Sequence, residues 1–106
     1  MRDIKWSHSE KALARRVFDL ALNAELEEIV TEFKTRAASI EVATQMWELR
    51  GFLASKEREI EEKYDFRYSQ LILVFGRLLR EGRLQGEQLE GLAEDKLSLM
   101  RRVASM

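Results

Sequence analysis

A chain of 106 residues is the size of one ordinary domain, and its 45% hydrophobic content is enough to build a core. Charged residues make up 35%, with no proline and only five glycines, which favours helices with charged outer faces and excludes a disordered chain. The formal net charge of -1 gives no general attraction for nucleic acid or anionic membrane, and the lack of cysteine excludes a disulfide framework or a thiolate metal site.

The opening Met1-Arg2-Asp3-Ile4-Lys5-Trp6 is too polar for a signal peptide and reads as a frayed lead. Ser7 and Glu10 have capping-box spacing, in which the hydroxyl takes an orphan backbone N–H and the glutamate reaches back, so a helix is expected from about 8 to 36. Leu13, Val17, Phe18, Leu22, Leu26, Ile29 and Phe33 keep helical spacing, and from Leu22 onward the steps match a coiled-coil seam. The break is expected within Arg36-Ala37-Ala38-Ser39-Ile40-Glu41, with Ser39 or Thr44 as the next cap. No strong breaker follows until Gly82, so one long helix is expected over about 42–81. Its seam is Val42, Met46, Leu49, Leu53, Ile60, Tyr64, Tyr68, Leu71, Phe75 and Leu78, interrupted at Lys56 and Arg67. At ~1.5 Å rise per residue that rod is roughly 60 Å long, against a radius of gyration near ~13 Å for a compact domain of this size. Gly82 to Gly86 is a turn, Glu87 to Gly91 at most a short helix, and Ala93 to Val103 another, with Leu92, Leu97 and Met100 inward.

The expected fold is therefore all-α in one domain. Two long helices form a stalk over about 8–70, and the C-terminal helices make a small head over about 71–106. A homodimer, with Val42, Met46, Leu49, Leu53 and Ile60 at its interface, is the simplest way to cover the stalk.

No catalytic centre is legible. His8 is the only histidine and sits in a first helical turn with no nucleophile positioned beside it. The glutamates at 25, 27 and 28, and at 57, 59, 61 and 62, lack the Glu-x-x-His pairs of a helical di-metal site; the second cluster, interleaved with Lys56, Arg58 and Lys63, reads as a solvated face. Gly82 and Gly86 are not followed by the Gly-Lys-Ser/Thr of a phosphate loop. Arg77, Arg80, Arg83, Arg101 and Arg102 read as a solubilising set rather than a binding patch. No enzyme activity, cofactor, metal, nucleic-acid partner or membrane insertion is expected, and the cysteine-free composition suits the cytoplasm.

The informative residues lie beside the seam. Trp47 points off it, Arg50 and Phe52 flank Gly51, and Gly51 leaves space one turn beyond the indole. An aromatic with a neighbouring arginine on a polar face has the composition of a protein–protein hot spot. Packing of Trp47 on the first helix or on a sister chain explains the same pattern equally well.

The run Trp47-Glu48-Leu49-Arg50-Gly51-Phe52-Leu53-Ala54-Ser55-Lys56, with Arg58-Glu59-Ile60 and Lys63-Tyr64-Asp65, resembles the fluorescence recovery protein family of cyanobacteria. The likeness continues through Val74-Phe75, Leu78, Glu81-Gly82, Glu87, Leu89, Leu92-Ala93 and Asp95-Lys96, covering roughly 40–100 without a gap. The resemblance implies an all-helical, dimeric, non-enzymatic regulator. It implies further that the chain binds the photoactivated orange carotenoid protein and accelerates its return to the inactive orange form, stabilising one conformer of a partner. It places Trp47, Arg50, Phe52, Glu57, Leu73 and Leu99 in the partner-binding surface. Arg50 and Gly51 replace a His-Asp pair of the family patch, Glu57 reverses a basic position, Leu73 stands for an aromatic and Leu99 for a lysine. These departures mark a divergent or non-cyanobacterial member, whose alternative role is that of a helical dimeric adaptor or signalling scaffold with a different partner.

Overall fold

The computed structural model describes residues 4–106, and among them the regular structure is helical. Four α-helices follow in order: α1 (His8–Ala38), α2 (Thr44–Lys63), α3 (Leu71–Arg80) and α4 (Glu94–Ala104), with a 3-10 turn at Gly86–Leu89. The start of α1 carries the expected capping box. Glu10 N donates to Ser7 Oγ at 3.2 Å, and Ser7 N donates to Glu10 Oε1 at 3.0 Å. The expected frayed lead lies outside the described residues as far as Asp3, but Trp6 is buried rather than frayed.

The bend between α1 and α2 contains no glycine or proline. Ser39 Oγ turns back to the Thr35 carbonyl at 3.0 Å. The Gln45 side chain accepts from Glu41 N at 2.6 Å and from Val42 N at 3.0 Å, so a glutamine in the first turn of α2, rather than Ser39 or Thr44, satisfies these donors of the bend.

The helix expected over 42–81 is two helices, because α2 stops at Lys63 and the chain is non-helical from 64 to 70. This connector contains turns, with Arg67 N donating to the Asp65 carbonyl at 3.0 Å and Gln70 N to the Arg67 carbonyl at 2.7 Å, and Tyr64, Phe66 and Tyr68 all find partners from the chain before Leu22. Phe18 meets Tyr64 and Phe66 edge-on with centroids 5.4 and 4.9 Å apart, and Tyr68 lies 6.0 Å from Trp6. Tyr64 Oη donates to the Ala21 carbonyl at 3.3 Å, and the Arg15 guanidinium lies 4.2 Å from the Phe66 ring centroid. Each edge-to-face pair contributes ~0.5–1.5 kcal/mol beyond its buried area. Those contacts offset the backbone hydrogen bonds a continuous helix would have made.

The chain groups into two compact units: one holds the chain up to Ala21 together with Tyr64–Met106, the other Leu22–Lys63. The first unit holds the core. Leu13, Ala14, Val17 and Phe18 of α1, Leu71, Ile72, Phe75 and Leu78 of α3, Leu89 and Leu92 of the connector, and Met100 and Val103 of α4 are buried. Helices α3 and α4 pack together. The start of α1 joins them in this unit. After α3 the chain reverses at Gly82, whose φ of 75° is the left-handed conformation a glycine reaches without strain.

A buried ion pair ties the start of α1 to the start of α4. Lys96 Nζ lies 3.1 Å from Glu10 Oε1, and Ala93 N donates to Glu10 Oε2 at 2.8 Å. Burial alone would push the Glu10 carboxyl up. The backbone donors of Ser7 and Ala93, with the Lys96 ammonium, overcome this and hold it at about 2.

Candidate functional site: the exposed face of α2

The Leu22–Lys63 unit contains no buried hydrophobic side chain. Its apolar residues are Leu22, Leu26, Ile29, Val30 and Phe33 on α1, Ile40 and Val42 in the bend, and Met46, Trp47, Leu49, Phe52, Leu53 and Ile60 on α2; all are half-buried or exposed. Met46 is 46% exposed and Leu53 42%, so large apolar side chains of this unit lie open to solvent. A groove of about 590 Å³ runs along this unit, lined by Leu26 and Ile29 from α1 and by Leu53, Ala54 and Ile60 from α2, with Arg50, Lys56, Glu57 and Glu61 around it. Leu53 also faces Ile29, Val30 and Phe33 in an adjoining apolar hollow.

Trp47 is 59% exposed, and the Arg50 guanidinium lies 5.2 Å from its ring centroid. This i,i+3 stack fixes both side chains on one patch at low conformational cost. Nothing lies within 4 Å of the place a Gly51 Cβ would occupy, so the notch beside the indole is open. Phe52 is half-buried and flanked by two cations, with Arg36 of α1 4.2 Å and Lys56 5.9 Å from its ring centroid.

The structure thus brings together Trp47 with Arg50, and Arg50 with Leu53, Glu57 and Ile60 along the groove. Val42, Met46 and Leu49 occupy the earlier part of the same stretch. Leu73, exposed on α3, and Leu99, half-buried on α4, belong to the other unit. Two features were missed from sequence. The stacking of Arg36 on Phe52 crosses from α1 to α2, and nothing in the local pattern announces it. The contribution of Leu26 and Ile29 to the groove could have been found from their coiled-coil spacing.

His8 is exposed in the first turn of α1, and no three His, Cys, Asp or Glu side chains among the described residues are placed to hold a metal ion. No helix among them is long and apolar enough to cross a membrane. What this face offers is contact: aromatic and aliphatic area edged by charges of both signs.

The family profile described as photoprotection regulator fluorescence recovery protein matches residues 6–105. The chain belongs to the fluorescence recovery protein family. It is 38% identical over 101 residues to the fluorescence recovery protein of Synechocystis sp., spanning 95% of this chain and 93% of that one. Its structure superposes on that of the Fremyella diplosiphon fluorescence recovery protein with a TM-score of 0.90 at 33% identity, over 96% of this chain and 100% of the other. The solved Synechocystis fluorescence recovery protein gives a TM-score of 0.90 at 37% identity with the same coverage. The all-helical class and the resemblance read from sequence are borne out, and the chain is a member of a family of photoprotection regulators.

Proposed function

We propose that this protein is a cytoplasmic homodimer that binds the photoactivated orange carotenoid protein and accelerates its return to the inactive orange form, ending photoprotective quenching without covalent chemistry. The observation that carries the reading is the Leu22–Lys63 unit: a member of this family presents a whole helix pair with no buried apolar side chain and with Trp47 facing solvent. In this reading Val42, Met46, Leu49, Leu53 and Ile60 pair with a second copy. Trp47, Arg50, Phe52 and Glu57, with Leu73 and Leu99, meet the carotenoid protein. Such a regulator acts by differential affinity, since a partner bound more tightly in one conformer is shifted toward it.

The test adds the purified chain to photoactivated orange carotenoid protein and follows the red-to-orange decay in the dark. Concentration-dependent acceleration is expected; an unchanged decay at excess protein refutes the reading. A second reading, a dimeric helical adaptor with another partner, is favoured by the exposed Arg50 and Glu57 and by the open notch at Gly51, where the family patch differs. It would be supported by that negative result in a chain that is nonetheless dimeric.

A further inference from the structure

In the Leu22–Lys63 unit two residues are buried, and both are charged: Glu25 and Lys63. Lys63 Nζ donates to both carboxylate oxygens of Glu25, at 3.0 and 2.8 Å, across 38 positions of sequence. Their side chains are 10% and 6% exposed. Lys63 is the last residue of α2, where a cation also complements the helix dipole. Neither residue belongs to the contact face described above.

The arrangement inverts the usual one, in which apolar side chains are buried and charges lie outside. Taking two charges out of water costs several kcal/mol per ion, so such a pair is weak evidence of added stability; its best-attested use is fixing register. Register is the weak point of this unit. Met46, Leu49, Leu53 and Ile60 on α2, and Leu26, Ile29 and Phe33 on α1, are interchangeable apolar residues spaced three, four or seven apart. Sliding one helix by a turn would put another apolar residue opposite most of these, with Lys56 the exception on α2. An ion pair with both carboxylate oxygens engaged is more demanding, because a slip of ~5.4 Å breaks both bonds between Lys63 and Glu25. Helical spacing puts the pair at one end of the groove, since Glu25 precedes Leu26 and Lys63 lies one turn beyond Ile60.

We propose that Glu25 and Lys63 form a register lock: the pair fixes which turn of α2 faces which turn of α1 in the Leu22–Lys63 unit, and thereby the shape of the groove that Leu26, Ile29, Leu53 and Ile60 line. The lock is a property of the chain itself and does not depend on which partner it binds.

The test uses the full chain with spin labels on cysteines introduced by Glu27→Cys and Arg58→Cys, both exposed and in a protein without native cysteine. Labelled protein is diluted into unlabelled protein so that pulsed dipolar spectroscopy reads the distance within one chain. The native pair is expected to give one narrow distance. The apolar replacement Glu25→Leu with Lys63→Met is expected to remain helical but to broaden that distance or add a second population. The reversed pair, Glu25→Lys with Lys63→Glu, should restore a narrow one. A single narrow native distance in the apolar replacement overturns the proposal. So does loss of folding in that replacement, which would make the pair a stability element. If the reversed pair fails to fold because it sets a carboxylate at the end of α2, the apolar replacement decides alone.

Discussion

Gly76 and Gly51 both lie inside helices, and the structure predicts opposite outcomes for the same substitution at the two positions. In a helix interior, Gly→Ala ordinarily stabilises by ~1 kcal/mol, and neither glycine has a positive φ that would forbid a side chain. At Gly76 on α3, however, an added Cβ would sit 2.5 Å from both Cβ and Cγ1 of Val103 on α4, and 3.1 Å from the Met100 carbonyl oxygen. Carbon atoms pack at ~3.5–4.0 Å, so α4 must retreat by about 1 Å. The Val103 Cβ is fixed to the backbone and cannot rotate away. Overpacking of this kind costs ~1–3 kcal/mol, and with a rigid obstacle the upper part of that range applies. Gly76→Ala should therefore lose about 1–2 kcal/mol net of the helix-propensity gain. Gly51→Ala meets nothing within 4 Å and should gain up to ~1 kcal/mol. Urea denaturation followed by helical circular dichroism, at one fixed protein concentration because association shifts the midpoint, measures both. A Gly76→Ala midpoint at or above wild type would refute the close α3–α4 packing.

The Glu10 carboxyl is held at about 2 in the fold against an ordinary value of 4.5. Its contribution is thus fully present above about pH 4.5 and is lost as pH falls toward about 2. Glu10→Gln should flatten that part of the acid-unfolding profile, and Lys96→Met, which leaves a buried carboxylate without its cation, should cost about 3 kcal/mol at neutral pH. Met46→Glu or Leu53→Glu should convert a dimer to a monomer in light scattering; an unchanged mass would remove the seam from the interface. Trp47→Ala should slow the accelerated red-to-orange decay at least tenfold with unchanged helicity, since the side chain is mostly exposed. An unaltered rate would put the partner contact elsewhere.

Much of the fold is legible in sequence where local rules decide. The Ser7–Glu10 box fixes the start of α1, and the turn at Gly82 needs one glycine in a left-handed conformation. The connector at 64–70 is not legible by the same means, because it contains no glycine or proline and its apolar residues fall on a helical seam. What ends α2 is tertiary: Phe18, Trp6 and Arg15, some fifty positions earlier, reward a non-helical placement of Tyr64, Phe66 and Tyr68. The arginine interrupting the seam at 67 falls in this connector. At the candidate site, the pattern leaves open whether Trp47 is exposed or packed, whereas its adjacency to Arg50 follows from helix geometry. The cation over Phe52 and the Glu25–Lys63 pair do not, because charges that meet across two helices leave no trace in local periodicity.

Arg50 belongs to two parts of the face at once. It stacks on Trp47, on the proposed partner contact, and it lines the groove with Leu53 and Ile60, on the proposed dimer contact. A second copy in that groove and a partner over the indole would both set its guanidinium, so the two binding events are linked through one side chain, and linkage is reciprocal. Trp47 does not line the groove. Its truncation should change partner affinity alone, whereas a change at Arg50 should move both the dimer constant and the partner constant.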